Sequence, residues 1–242
     1  MFGAYQAGVW SALHDAIRPD IVVGASIGSL NGWLVAAGKP AAEMENLWLN
    51  LDHISRPRWR IPRSLREGLI ADEMDHLYQE VYEAGEPKSQ YGVVLTETFR
   101  LRPRLFEWPD VTWEHLAASC SVPLFLPPRK INGVFYADGG LVDPLPLWAA
   151  VRMGATRIVA VNVLVQRPWF VRATVKAVRG YSRYRGDIDP GIEVVTIEPK
   201  ESLGAASDTL FWDRDRAQRW IGLGKKDAHA TKHLVVECFE RQ

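Results

Sequence analysis

The chain has 242 residues, 47% of them hydrophobic and 24% charged, a balance that fits a folded globular protein and excludes a disordered one. Its 29 Lys and Arg match its 29 Asp and Glu. Without a positive excess the bulk electrostatic affinity for nucleic acid is missing, so no nucleic-acid partner is expected.

Val9, Trp10, Leu13, Ala16 and Ile17 recur at three- and four-residue steps and predict a helix over 4–17, broken by Pro19 and Asp20. Ile21-Val22-Val23 is a wholly apolar run, the mark of a strand buried on both faces. Gly24-Ala25-Ser26-Ile27-Gly28 reads as a tight turn, with a helix over 29–38 leaving it and another beginning over 41–52. Residues 56–66 form a proline-broken basic loop, and 72–84 suit an acidic amphipathic helix. A strand is predicted over 91–99, and a helix over 112–121 with Thr112 as its cap and Pro123 after its end. Residues 131–137 read as strand around Asn132-Gly133, a hairpin signal. Asp138-Gly139-Gly140 is a turn, and 144–153 a helix with Pro144 in its first turn and Asp143 capping it. Strands over 157–165 and 192–198 follow, then a last helix containing Thr231, Leu234, Val235 and Cys238.

Buried strands alternating with helices imply a mainly parallel sheet covered on both faces, in a single domain over 1–242. Cys120 and Cys238 are too few for a disulfide framework or a zinc site and are expected to be buried and inert. No metal or cofactor is expected. No apolar run reaches the length of a membrane span and the first residues lack the pattern of a signal peptide, so a cytoplasmic chain is expected.

Gly24-x-Ser26-x-Gly28 between a buried strand and a helix is the context of a nucleophile elbow. The glycines permit the sharp turn. The helix N-terminus behind it stabilises negative charge, and the Ile27 N–H can serve an oxyanion. A dinucleotide fingerprint would need glycine where Ser26 stands. His229 or His233 could complete a Ser–acid–His order, but an α/β-hydrolase places several strands before its elbow and only 25 residues precede Ser26. Asp138 is the other candidate base, since it too ends a strand-like run.

Four ordered blocks resemble the patatin-like phospholipase family: Gly3-Ala4-Tyr5-Gln6-Ala7-Gly8-Val9, Gly24-Ala25-Ser26-Ile27-Gly28, Ala118-Ser119-Cys120-Ser121-Val122-Pro123, and Asp138-Gly139-Gly140-Leu141-Val142-Asp143-x-Leu145-Pro146. The likeness runs over about residues 1–165, continuing through 153–161. It implies a three-layer α/β/α sandwich and hydrolysis of an acyl-ester lipid by a Ser–Asp dyad, with Ser26 as nucleophile and Asp138 as base. The family's glycine-rich loop, GGGxxG, follows a first strand and helps to form the oxyanion hole. Here only Gly3 has a counterpart, with Met1 and Phe2 in the variable places. The expectation is that the natural chain begins upstream. The alternative is a catalytically silent domain that binds lipid or a partner.

Residues 167–185 carry Arg167, Arg172, Lys176, Arg179, Arg183 and Arg185 and no acid. As a helix they would set Arg172, Lys176, Arg179 and Arg183 in one basic stripe opposite Phe170, Ala177, Tyr181 and Tyr184, suited to peripheral contact with an anionic membrane, with Arg56, Arg58, Arg60 and Arg63 in support.

Overall fold

The computed structural model describes residues 2–51, 74–123, 125–165, 176, 180, 181, 186–204 and 212–240. In chain order the elements are α1 (Gly3–Leu13), β1 (Ile21–Ala25), α2 (Ile27–Ala36), α3 (Ala41–Leu49), α4 (Asp75–Glu83), β2 (Gln90–Glu97), β3 (Arg102–Glu107), α5 (Trp113–Ser119), β4 (Arg129–Ile131), β5 (Val134–Ala137), a short 3-10 turn (Gly139–Leu141), α6 (Leu147–Arg152), β6 (Arg157–Val161), β7 (Glu193–Ile197) and α7 (Arg214–Glu240). The basic loop over 56–66 lies outside the described residues, as does nearly all of 167–185.

The α/β class holds, with helices flanking a central sheet, but the sheet is mixed rather than mainly parallel. β1 runs parallel to β2, whereas β3 and β5 are both antiparallel to β2 and β4 is antiparallel to β5. β3 was missed because Arg102, Arg104 and Glu107 interrupt its apolar pattern. It returns from β2 through a tight reversal in which Leu101 takes φ +48°. The predicted hairpin is present: Asn132 and Gly133 both have positive φ, 47° and 84°, between β4 and β5.

β2 is the centre of the fold. Tyr91, Val93, Val94 and Leu95 are all buried because β2 has neighbours on both edges and helices α2 and α5 against it. Trp33 of α2 stacks on Tyr82 at 4.8 Å and meets Tyr91 and Trp108 edge-on. Trp48 is also fully buried, with its indole N–H on Asn31 Oδ1 at 2.8 Å. The tryptophans at these helical positions therefore pack the core. Both cysteines are buried and free. The long α7 closes the fold against α1, where the Tyr5 hydroxyl donates to Asp227 Oδ2 at 3.0 Å.

β6 and β7 form a separate parallel pair. A cleft of about 490 Å³ runs between the edge of β1 and β6, walled by α1 through Val9, Trp10 and Leu13 and by α6 through Leu147 and Ala150. Most of β1 and alternate residues of β6 are only half-buried as a result, unlike β2.

Candidate active site

The sheet topology explains why Ser26 and Asp138 meet. One edge of β2 carries β3 along its whole upper half, pairing Gly92 to Glu97 with Glu107 to Arg102. The opposite edge carries two strands in succession. β1 rises along it and ends with Ala25 opposite Val94, and β5 descends along it and ends with Ala137 opposite Thr96. Two strands that approach each other end to end on one edge must both turn away at the same place. The residues that follow them are Ser26 and Asp138. The convergence is thus a property of a parallel and an antiparallel strand meeting head-on, not of parallel strand ends alone.

Ser26 adopts φ 52° and ψ −135°, a strained conformation for a residue with a Cβ and the geometry of a sharp strand-to-helix turn. Gly24 is required here: a Cβ on it would lie 2.4 Å from the Gly28 carbonyl oxygen. The turn is held at both ends of the Ser26 peptide. Its N–H donates to Ser119 Oγ at 2.9 Å, and its carbonyl accepts from the Ser29 N–H at 2.8 Å and the Ser29 hydroxyl at 2.6 Å.

The Ser26 hydroxyl donates to Asp138 Oδ2 at 2.6 Å, while Asp138 Oδ1 accepts from the Gly140 N–H at 2.7 Å. Asp138 is 6% exposed. Burial pushes its carboxyl up to about 6, against the two hydrogen bonds, which favour the ionised form. The Asp138 N–H donates to the Ser121 carbonyl at 2.9 Å. Gly139 lies so close to β2 that a Cβ would stand 2.0 Å from the Val94 oxygen. Gly139 is thus required by close approach, whereas Gly140 holds Asp138 through its backbone N–H and a Cβ there would stand 3.0 Å from the same Asp138 Oδ1.

Gly3 and Ile27 are the first residues of α1 and α2. Asn31 ties these two helix starts together, donating from Nδ2 to the Gly3 carbonyl and to Gln6 Oε1, both at 2.9 Å. The first N–H groups of a helix have no partner within it, so the start of α2 supplies free donors immediately after Ser26. Gly3 has a packing reason of its own, because a Cβ there would lie 2.3 Å from the Trp48 ring.

Among the described residues no histidine hydrogen-bonds Ser26 or Asp138. His229 and His233 are exposed on α7. His115 is buried, its imidazole pushed down by burial, and its Nδ1 accepts the Thr112 N–H at 3.1 Å while the Thr112 side chain accepts the His115 backbone N–H, a capping box that puts Thr112 at the start of α5 as expected. Asp143 is buried but does not cap α6, which starts later, at Leu147 after Pro146. Among the described residues no group of three or more His, Cys, Asp or Glu side chains could hold a metal ion. Among them, too, no helix is long and apolar enough to cross a membrane.

Known proteins similar to this chain bear on its fold and family. The family model described as patatin-like phospholipase matches residues 1–151. The chain belongs to the patatin-like phospholipase family. It is 29% identical over 175 residues, 66% of its length, to Lysophospholipase nte1 of Aspergillus oryzae, of which it spans 11%. Among solved structures it is similar to VipD from Legionella pneumophila, at 12% identity and a TM-score of 0.48, covering 95% of this chain and 64% of that one; so distant a likeness adds nothing to the assignment.

Sequence reasoning found Ser26 and Asp138 but not Ser29 or Asn31, and it noted Ser119 only as part of a motif. Each is a small polar residue in an apolar helix or at its end. Burial gives that pattern a purpose, since a buried hydroxyl or amide needs partners.

Proposed function

We propose that this chain is a serine lipid acyl hydrolase acting through a Ser26–Asp138 dyad. The observation that carries the reading is the 2.6 Å hydrogen bond from the Ser26 hydroxyl to a buried carboxylate. Ser26 Oγ attacks the carbonyl carbon of an acyl ester as Asp138 Oδ2 takes its proton. The Ile27 N–H, at the start of α2, faces the charge that develops on the carbonyl oxygen, with the chain at Gly3 as the second donor implied by the family. Collapse of the tetrahedral intermediate expels the alcohol, which takes the proton back from Asp138 and leaves Ser26 acylated. Water then gives a proton to Asp138 as it attacks the ester carbonyl, and collapse of this second intermediate releases the fatty acid while Asp138 returns the proton to Ser26 Oγ. A free aspartate, near 3.9, is a poor base for a hydroxyl; burial that raises it to about 6 improves the match.

The substrate class follows from the family and from a relative named as a lysophospholipase, so a single-chain phospholipid is the first substrate to offer. A peripheral site at an anionic lipid surface, through 167–185, belongs to the same proposal. The silent-domain reading has its own support in the cleft beside β1, since among the described residues β1 pairs with β2 alone.

Asp138 must be ionised to accept the proton. Hydrolysis of a lysophospholipid and of a soluble aryl ester is therefore expected to rise with pH through a midpoint near 6 and then level off. Asp138→Asn is expected to lose about 10²–10⁴-fold, the usual worth of general-base help. A flat profile, or equal rates in the variant, would remove Asp138 from the mechanism. No turnover by a folded chain on either ester would favour the silent domain.

A further inference from the structure

Ser119 is fully buried at the end of α5 and has no access to substrate. Its hydroxyl group makes two hydrogen bonds, accepting from the Ser26 N–H at 2.9 Å and donating to the Val94 carbonyl at 2.9 Å. The register gives this arrangement a meaning. In a parallel ladder with Ala25 opposite Val94, the N–H of the next residue, Ser26, is the donor that pairs with the Val94 carbonyl. The Ser119 oxygen therefore stands inside a ladder hydrogen bond. It holds β1 off β2 by one atom at the residue where β1 must leave the sheet, and no backbone group is left unpaired.

The same three-residue stretch grips the other member of the dyad. The Ser121 carbonyl accepts the Asp138 N–H at 2.9 Å. Nucleophile and base, 112 positions apart in sequence, are thus referred to one rigid helix end.

We propose that Ser119 is the positioning residue of the dyad, a hydroxyl spacer that maintains the strained turn at Ser26 and, with the Ser121 carbonyl, sets the separation of Ser26 from Asp138. This rests on the reading of Ser26 and Asp138 given above. It follows that the hydroxyl, and not the size of the side chain, is what the position requires. A hydrophobic side chain there would orphan the Ser26 N–H and the Val94 carbonyl together, and the turn would relax to re-pair them.

Thr and Val have the same shape and differ by this one hydroxyl, so Ser119→Thr and Ser119→Val form the test pair. Labelling by a fluorophosphonate and steady-state hydrolysis of an aryl ester are measured on both, with Ser26→Ala as control. Ser119→Val is expected to fall about 10- to 100-fold below Ser119→Thr in labelling rate and kcat, with KM within about twofold, because misplacement of the nucleophile by under an ångström costs turnover rather than binding. Equal rates in the two variants would overturn the proposal. Amide hydrogen exchange reads the spacer without catalysis. In the unmodified chain the Ser26 amide is expected to exchange much more slowly than the Ile27 amide, and in Ser119→Val that protection is expected to vanish. A fast Ser26 amide in the unmodified chain overturns the proposal even if neither variant folds. Labelling that survives Ser26→Ala would count against the dyad, while the exchange result would still decide the role of Ser119.

Discussion

Asp138 is buried where it can act as a base, and that placement has a cost that can be measured. Its folded pKa, about 6, lies above the unfolded value near 3.9, so between these values the folded state holds more protons than the unfolded one. This group's contribution to stability is therefore fully present below about pH 4 and is lost as pH rises through 6. The loss amounts to about 3 kcal/mol for a shift of this size. Asp138→Asn removes the buried charge and keeps an oxygen for the Gly140 N–H. It is expected to melt several degrees above the parent at pH 8, with the difference shrinking toward pH 4. A variant less stable than the parent at pH 8 would contradict this account of the carboxylate. At this scale the sequence was informative. Ser26 and Asp138 were visible because close backbone approach leaves glycine as its trace, at Gly24 before the one and at Gly139 after the other. The buried serines that hold them leave none, since one hydroxyl in a helix looks like any other.

Most elements were legible from apolar period and punctuation, with ends shifted by a few residues. β3 was lost because a strand on the outer edge of β2 can carry arginines and a proline, which the pattern reads as loop. The antiparallel return of β5 onto β2 was lost for another reason: nothing local to 134–137 states which edge it joins. The cleft between β1 and β6 is the element-scale feature with most consequence. α1 lies along it, from Gln6 beside Gly28 to Leu13, and Ile17 beyond the helix end also lines it. Among the described residues β1 pairs with β2 alone and β6 with β7 alone, so the strand edges that face the cleft carry no further strand there.

For the molecule as a whole, β2 joins the parts. It organises the aromatic core around Trp33, receives β1 and β5 on one edge, and so brings together two residues separated by most of the family-matching region. The α/β class was legible in the alternation of elements, and the family in four short blocks whose order mattered more than any one of them. The site's geometry was not legible, because it depends on two strands sharing one edge at a register that only the folded sheet fixes. The central claim is that Ser26 is an activated nucleophile. It is tested most directly by treating the purified chain with a fluorophosphonate at pH 8 and locating the adduct by peptide mass, with Ser26→Ala alongside. A single adduct is expected on Ser26, absent from the variant and forming more slowly below pH 6 as Asp138 gains its proton. A folded chain that forms no adduct, or forms it equally well without the Ser26 hydroxyl, would contradict that claim.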